Sequence, residues 1–336
     1  MREQMNRVFR SVAAPLFGLA VAAALAAPTM AAEAEKVSVR LAFTAGGIDA
    51  PIFVAAGKGY FAAEGLDVTI VDGDGSTGTI QAVGNGSFNI GIAGLGALAQ
   101  ASATAGFDII TAVAGLVQKD PSSIIALKGS GITKPKDIEG KRFATEAGNL
   151  SDGMITAFAE ANGIDMNTVK IIVTDAYQQA LLKGDADFIN GWANPDGDHI
   201  AAHAPIEEPI LFADHGVNIL GSSVIVRKDY LAGHEAVVRG FLKALTKAHD
   251  DVLADPAEAL KYFMQYRPDF NAEAIAGEIK VMEKYRKTAR TIDKPFGYVD
   301  AEDLSQTISL LEKYSGMPKG FVKPEMIYTG AYLPTP

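Results

Sequence analysis

Residues Ala50–Gly94 read APIFVAAGKGYFAAEGLDVTIVDGDGSTGTIQAVGNGSFNIGIAG, and this stretch decides the fold. Its first part spaces apolar residues as a helix does, and Leu66–Val71 follows as a run rich in the β-branched residues that suit a buried strand. A glycine-rich loop occupies residues 72–78, helical periodicity resumes at Thr79–Val83, and Phe88–Ala93 returns to strand. Strands that alternate with helices in this way predict a parallel α/β sheet.

The glycine-rich loop is a candidate binding site because it follows a strand. Ligands of open α/β sheets bind beyond the carboxyl ends of the strands. There, the backbone of Gly75, the hydroxyls of Ser76 and Thr77 and a helix N-terminus can hold an anionic or polar ligand without a cationic side chain. The loop also spells G-x-G-x-x-G, but residues 91–98 contain no acid to bind a ribose, so we set dinucleotide binding aside.

Four segments carry a resemblance to a known family: GKGYFAAEGLDV at residues 57–68, QAVGNGSFNIGIAG at 81–94, ITKPKDIEGKRFAT at 132–145 and QALLKGDADFINGWAN at 179–194. They resemble the nitrate, sulfonate, taurine and thiamine-pyrimidine type of solute-binding proteins that serve ABC importers. The resemblance implies two lobes that close on a small solute and deliver it to a permease with its ATPase. The thiamine-pyrimidine branch includes enzymes with a cysteine-rich motif, and this chain departs from that pattern because it has no cysteine.

The N-terminus has the pattern of a secretory signal. Three arginines precede an apolar run at residues 12–27, and the small residues that follow include Ala-Glu-Ala at 32–34. We therefore expect a cleavable signal peptide over residues 1–34, with cleavage between 31 and 34. The absence of cysteine excludes a lipid-modified cysteine, a disulfide framework and thiol catalysis. These features predict a periplasmic protein with no lipid anchor that is not itself embedded in the membrane.

Length and charge narrow the class of protein further. The chain has 336 residues, which is too many for one ordinary core and suits two lobes. It carries 40 acidic against 30 basic residues, a formal net charge of −10, and such a surface repels nucleic acid. We expect a monomer with a small-molecule solute and no nucleic-acid partner.

The predicted fold class is α/β, with the two-lobed periplasmic-binding-protein-like (type II) architecture that the resemblance implies and a helical C-terminal segment. We assign residues 35–126 to the first part of lobe one, 127–218 to lobe two, and 219–336 to the second part of lobe one with the C-terminal helices. Two crossovers between lobes form a hinge, which is a standard way to bury a small solute. Two similar segments, QAVGNGSFNIGI at residues 81–92 and QALLKGDADFIN at 179–190, predict equivalent strand ends that face each other across the cleft.

Two further loops follow strands, at residues 44–49 and 146–152. Asn149 and Ser151 either cap the next helix or contact the solute. Trp192, the sole tryptophan, either enters the core or stacks on a planar solute at the cleft edge. The residues that we predict to bind the solute are Gly46, Gly47, Ile48, Asp49, Gly75, Ser76, Thr77, Gly94, Asn149, Ser151, Trp192 and Asn194.

Catalytic and metal-binding patterns are weak in this sequence. His199 and His203 are four residues apart, but no third ligand of clear spacing accompanies them, so we predict no metal site. Because no nucleophile elbow, zinc-protease motif or cysteine–histidine arrangement is found, we predict no catalytic residue, no cofactor and no enzyme activity. The alternatives are an exported enzyme of the same fold that acts on a pyrimidine-like substrate, and a sensory binding subunit.

Overall fold

Two five-stranded sheets flanked by helices form the part of the chain that the computed structural model describes, residues 33–104, 108–146, 153–194 and 196–335. The predicted signal peptide lies outside these residues up to position 32. The strands are β1 (Glu35–Arg40), β2 (Leu66–Val71), β3 (Ile90–Gly94), β4 (Ile110–Gly115), β5 (Ser122–Ala126), β6 (Arg142–Thr145), β7 (Lys170–Val173), β8 (Phe188–Trp192), β9 (Ile210–Leu211) and β10 (Ser222–Arg227).

The helices pack on both faces of the sheets and continue into a helical C-terminal segment. They are α1 (Ala50–Gly57), α2 (Tyr60–Ala63), α3 (Ser76–Gly84), α4 (Leu95–Ser102), α5 (Met154–Ala161), α6 (Tyr177–Lys183), α7 (Asp196–Ala201), α8 (Lys228–Gly233), α9 (Glu235–Ala254), α10 (Pro256–Tyr266), α11 (Ala272–Met282), α12 (Ala301–Tyr314) and α13 (Pro324–Ile327). Within the described ranges, no helix combines the length and apolarity needed to cross a bilayer.

The two sheets share one topology. The first has the order β2-β1-β3-β10-β4, and the second has the order β7-β6-β8-β5-β9. In the first sheet β1 pairs in parallel with β2 and β3, while β10 is antiparallel to both of its neighbours. In the second sheet β6 pairs in parallel with β7 and β8, while β5 is antiparallel to both of its neighbours. The second lobe therefore repeats the first, as the sequence predicts.

The antiparallel strands β5 and β10 are those by which the chain enters each sheet from the other lobe. The two crossovers pair with each other: the Leu116 N–H donates to the Ser222 carbonyl (2.7 Å), and the Gly221 N–H donates to the Val117 carbonyl (3.0 Å). A strand that enters from the carboxyl edge of a parallel sheet must run against its neighbours. Consequently the carboxyl edges of both sheets border the same pair of crossovers.

The side chain of Asn218 fastens the crossovers together. This buried amide donates to the Gln118 carbonyl (2.8 Å) and accepts from the Asp120 N–H (2.9 Å). Buried amides that are fully paired in this way fix the backbone segments that they join. The lobe borders predicted at residues 126 and 218 stay predictions, and β5 pairs within the second sheet.

Helix α12 packs on both lobes. Leu304 belongs to a core cluster of the first lobe, whereas Leu310 and Tyr314 pack against the core of the second. Between them, the buried hydroxyl of Thr307 accepts the backbone N–H of Leu220 in the second crossover (3.0 Å). The helix thus contacts both lobes and the hinge.

The sequence pattern predicts a strand at residues 209–213 and one continuous helix at residues 272–287, and both elements are shorter. Only the two-residue strand Ile210–Leu211 forms in the first segment, because a 3₁₀ turn starts at Phe212. The helix in the second segment ends at Met282 and continues as a 3₁₀ turn, Glu283–Tyr285. The Tyr285 carbonyl accepts hydrogen bonds from the crossover, so it is not available to an extended α-helix.

Gly73 allows the loop after β2 to lie against the chain after β1, so Gly73→Ala should destabilise the fold. A Cβ at this position would overlap the Leu41 carbonyl oxygen and lie 2.8 Å from that of Ala42. Because backbone must move to admit it, we expect a loss of about 1–3 kcal/mol in thermal unfolding. Gly277→Ala is the control, since nothing lies within 4 Å of its added Cβ and alanine favours a helix. Equal melting temperatures for the two variants would contradict this explanation.

Candidate functional site

A cavity of about 180 Å³ opens at the carboxyl edge of the second sheet, where β6 and β8 end and β5 begins. Its position agrees with the rule that ligands of open α/β sheets bind beyond the carboxyl ends of the strands. The lining residues are Ser122, Ser123, Glu146, Met154, Tyr177, Asn190, Gly191, Trp192, Asp196 and Phe212.

Trp192 presents its ring at this cavity. The side chain is 55% exposed, so it lies outside the core, and its backbone N–H donates to the Asp196 carboxylate (2.8 Å). Gly191 lets that carboxylate approach, because a Cβ there would lie 2.8 Å from an Asp196 oxygen. Gln178 donates to the second Asp196 oxygen (3.0 Å), which fixes the turn that carries the tryptophan. An exposed indole held by a fixed backbone can stack on a planar molecule.

The cavity is acidic. Glu146 and Asp196 both line it, and among its described lining residues there is no lysine, arginine or histidine. Burial raises the pKa of the Tyr177 hydroxyl, and the charges of Asp196 and Glu146 raise it further. The hydroxyl therefore keeps its proton at neutral pH and remains a donor. Such a lining favours cationic or N–H-bearing groups over anions.

In the first lobe, the loop at residues 44–49 lies under helix α11. The Gly47 N–H donates to the Glu278 carboxylate (2.7 Å), and the Gly46 N–H donates to Asp49 (3.0 Å). A Cβ on Gly47 would lie 2.5 Å from the backbone nitrogen of Ile279. These glycines therefore permit close helix packing, and carboxylates of the chain itself occupy their amides.

Asp49 and Ile48 are bound into the same region. The Ile48 carbonyl accepts from Arg286 (3.0 Å). Asp49 is buried, and burial is the main cause that raises its pKa to about 7, with smaller increases from the charges of Asp72 and Glu278. The Gly46 N–H and the Arg286 guanidinium act in the opposite direction.

The glycine-rich loop after β2 uses its own amides internally. Gly75 has a φ of 126°, nothing lies within 4 Å of a Cβ added there, and its N–H donates to the Ala42 carbonyl (2.8 Å). The Gly94 N–H donates to the Ser76 hydroxyl (2.9 Å). Among the described residues, no hydrogen bond donated by the Ser76 or Thr77 hydroxyl is found, and the contact of these two residues with a solute stays a prediction.

The other predicted residues divide into two groups. The Asn194 amide oxygen accepts from the Tyr285 hydroxyl (2.8 Å), and its nitrogen donates to Asp198 (2.6 Å). Asn149 and Ser151 lie outside the described residues. Their role stays a prediction.

Exposed apolar side chains at strand ends were not predicted from the sequence. Phe43, 64% exposed, follows β1; Val71 ends β2; and Val173 ends the equivalent strand β7. The alternating pattern at residues 37–43 predicts a first strand that includes Phe43, but the strand ends at Arg40. The sequence feature that could have indicated this exposure is an apolar residue directly before a polar, glycine-rich loop, a position beyond the buried part of the strand.

The two histidines considered as metal ligands contact each other. The rings of His199 and His203 are 4.9 Å apart, and His203 Nδ1 lies 2.9 Å from the His199 carbonyl oxygen. In the described ranges, no group of three or more His, Asp or Glu residues has the arrangement to hold a metal ion.

Two α/β lobes joined by paired crossovers, with a cavity at the carboxyl edge beside them, define the periplasmic-binding-protein fold. Within that class, the chain belongs to the family described as NMT1/THI5 like, whose family model matches residues 49–259.

Solved structures support the fold assignment. The chain is similar to the periplasmic aliphatic sulphonate binding protein SsuA from Escherichia coli, with a TM-score of 0.66 and 16% identity, over 89% of this chain and 99% of that one. It is also similar to the periplasmic nitrate-binding protein NrtA from Synechocystis PCC 6803, with a TM-score of 0.57 and 12% identity, over 89% and 87% of the two chains. At these identities the likeness shows the fold alone.

A curated relative corrects the prediction about enzyme activity. A 4-amino-5-hydroxymethyl-2-methylpyrimidine phosphate synthase from Saccharomyces cerevisiae is 29% identical over 241 residues, which cover 66% of this chain and 68% of that one. Other relatives carry the same name. The prediction that excluded an enzyme was therefore wrong, because it tested only for catalytic chemistries that have local sequence motifs.

The pKa of Asp49 predicts how stability depends on pH. The folded-state pKa of about 7 exceeds the unfolded value near 4, so the stability linked to this group is complete below about pH 4 and is lost as pH rises through 7. Asp49→Asn removes the titration and keeps an oxygen acceptor for the Gly46 N–H. We expect its melting temperature relative to wild type to be higher at pH 8 than at pH 5, equivalent to a few kcal/mol.

The control for this measurement is Asp67→Asn, an exposed aspartate in β2. It gives the effect of losing one acidic side chain from the surface. A difference between Asp49→Asn and wild type that stays constant from pH 5 to pH 8 would overturn the assignment.

Proposed function

We propose that this protein binds a small planar solute bearing amino groups, of the aminopyrimidine type, in the cavity of the second lobe and delivers it to an ABC importer. The observation that carries the proposal is the pairing of an exposed tryptophan with two carboxylates, Glu146 and Asp196, in one cavity. An indole face stacks on an aromatic ring, while carboxylate oxygens accept hydrogen bonds from ring amino groups.

The charges in the cleft argue against an anionic solute such as nitrate or a sulfonate. The described lining of the cavity offers no cation, and the amides of Gly46, Gly47 and Gly94 already donate to acceptors within the chain. An anion would have to enter against the nearby carboxylates and displace existing hydrogen bonds. An aminopyrimidine meets acceptors that match its donors.

The hinge supplies the binding mechanism. Both carboxyl edges border the paired crossovers, so rotation about these segments brings the exposed Phe43 and Val71 of the first lobe toward the Trp192 cavity. Closure around a solute removes these apolar surfaces from water and shifts the population toward the closed state. In such a cycle the closed state is the one that a permease recognises.

The cellular setting that we propose is the periplasm. The signal pattern at residues 1–34 and the absence of a lipid-attachment cysteine support export as a free protein. A permease with its ATPase is the proposed partner, and the binding unit is a monomer. Names of the structural neighbours support this setting, since both are periplasmic binding proteins.

Curated relatives favour a second candidate function, synthesis of a pyrimidine phosphate. The 29% identity to the yeast synthase extends over 66% of this chain, so the same cleft would bind a related ring in either case. A synthase generates new pyrimidine phosphate during incubation with a metabolite extract, whereas a carrier returns its solute unchanged. Mass spectrometry of the solution before and after incubation separates the two functions.

A binding screen tests the proposed solute class. The probes are 4-amino-5-hydroxymethyl-2-methylpyrimidine, ethanesulfonate and nitrate, each added to purified protein in a thermal-shift assay with isothermal titration as confirmation. A ligand at one hundred times its Kd stabilises the fold by ~2.7 kcal/mol, so binding is readily detected. We expect stabilisation by the pyrimidine only. Stabilisation by ethanesulfonate or nitrate without the pyrimidine would overturn the assignment.

Trp192→Ala should weaken binding of the pyrimidine about tenfold or more and leave the melting temperature unchanged. Stacking contributes ~1.5 kcal/mol, and the exposed ring contributes little to the core. Phe321→Ala is the matched control, because this aromatic side chain is 62% exposed and does not line the cavity. If Trp192→Ala lowers the melting temperature and leaves the affinity unchanged, the tryptophan has a structural role and does not stack on the solute.

Glu146→Gln should lower affinity for the pyrimidine by about tenfold, since a charged acceptor strengthens a hydrogen bond by ~1 kcal/mol or more. The same variant should tolerate ethanesulfonate better, because one repulsive charge is removed. Glu325→Gln is an exposed control with the same change in net charge. Equal titration curves for the two variants would show that Glu146 does not contact the solute.

A further inference from the structure

The turn at Glu283–Arg286 ties the C-terminal helices to the hinge. The Tyr285 carbonyl accepts two hydrogen bonds from the first crossover, from the N–H groups of Gln118 (2.8 Å) and Lys119 (2.9 Å). The turn directly follows α11, whose Ile275 and Ile279 lie in the core cluster of the first lobe. The backbone of Tyr285 is therefore anchored to the first lobe and to the hinge together.

Arg286 strengthens this anchor. Its guanidinium is buried and donates to the Leu116 carbonyl (3.3 Å), the Ile48 carbonyl (3.0 Å) and the Glu283 carboxylate (2.8 Å). Leu116 is where the first crossover begins, and Ile48 belongs to the cleft-side loop after β1. Three bonds from one planar group fix the turn in position and orientation.

The side chain of Tyr285 reaches the other lobe. It is 2% exposed, and its hydroxyl donates to the amide oxygen of Asn194 (2.8 Å), two residues after Trp192. Burial raises the pKa of this hydroxyl to about 12, with further increases from Asp198, Glu208 and Asp214, so it remains a donor at neutral pH.

This hydrogen bond borders a second cavity, of about 270 Å³, whose walls come from both lobes. The first lobe contributes Val281, Lys284 and Tyr285, and the second contributes Ala193, Asn194, Asp198, Ile206, Glu207, Glu208, Pro209 and Leu211. Beside this cavity the Tyr285–Asn194 bond joins the two walls, so a rotation that separates the lobes would break it.

We propose that Tyr285 is a positioning residue that latches the lobes, holding Asn194 and the adjacent Trp192 against the first lobe and slowing release of the solute. The solute part rests on the function proposed above, whereas the latch itself rests only on the contacts of Tyr285. Other bonds join the lobes, such as that between Lys313 and Glu160, but that pair is exposed and ion pairs in water stabilise little. The buried hydroxyl bond has the greater effect on lobe closure.

A distance measurement tests the latch without any solute. Because the chain has no cysteine, Gln100→Cys and Lys183→Cys place one spin label on an exposed position of each lobe with no background. Tyr285→Phe keeps the ring and removes the hydroxyl. Electron–electron double resonance should show the open-to-closed population ratio rise by ~2- to 10-fold, the effect of one net hydrogen bond.

Two further variants separate the latch from general packing. Tyr328→Phe also removes a partly buried hydroxyl, one that accepts from the Val299 N–H (3.0 Å) and donates to the Gly297 carbonyl (3.3 Å) within the first lobe, and should leave the distances unchanged. In an Asn194→Ala background, Tyr285→Phe should have no additional effect. Unchanged distances in Tyr285→Phe, or the same shift in Tyr328→Phe, would overturn the latch.

Release kinetics then test its effect on binding. With 4-amino-5-hydroxymethyl-2-methylpyrimidine as probe and the fluorescence of the sole tryptophan as signal, Tyr285→Phe should raise the dissociation rate ~2- to 10-fold and leave the association rate unchanged. A slower association with unchanged dissociation would contradict the latch. If the probe fails to bind wild-type protein, the solute proposal fails while the distance measurement still decides the latch.

Discussion

The hydrogen bonds between the two crossovers are the constraint on which the rest of the structure depends. Leu116 pairs with Ser222 and Val117 with Gly221, so both connections between the lobes lie side by side. Each then enters its sheet from the carboxyl edge, which forces one antiparallel strand into each otherwise parallel sheet. The same geometry makes the two carboxyl edges neighbours, and the cavity, the tryptophan and the exposed strand ends all lie there.

Much of this fold could be predicted from local sequence. Leu66–Val71 is a strand because β-branched residues recur in it, and the α10 and α12 helices begin at Pro256 and after Asp300, residues that mark helix starts. Repetition of the strand pattern in the second half also predicted the shared topology. These signals act over a few residues, which is the range that a sequence pattern can report.

Contacts between distant residues were beyond that range. Gly46 and Gly47 suggest an open backbone for a solute, yet the Gly47 N–H donates to the carboxylate of Glu278, more than two hundred positions later in the chain. A glycine gives the same signal whether a ligand or a helix of the same chain approaches it. Tyr285 gave no signal, since its role requires the crossover and Asn194 to meet. The acidic character of the cavity likewise depends on Glu146 and Asp196, which are distant in sequence but line the same cavity.

Helix α12 has a mechanical consequence. Gly153, at the start of α5, lies so close to this helix that a Cβ would be 2.9 Å from the Tyr314 Cβ, and Leu310 packs on the same lobe. Wide separation of the lobes would break this contact between α12 and the second lobe and expose its apolar side chains to water. These contacts therefore limit how far the two lobes can separate.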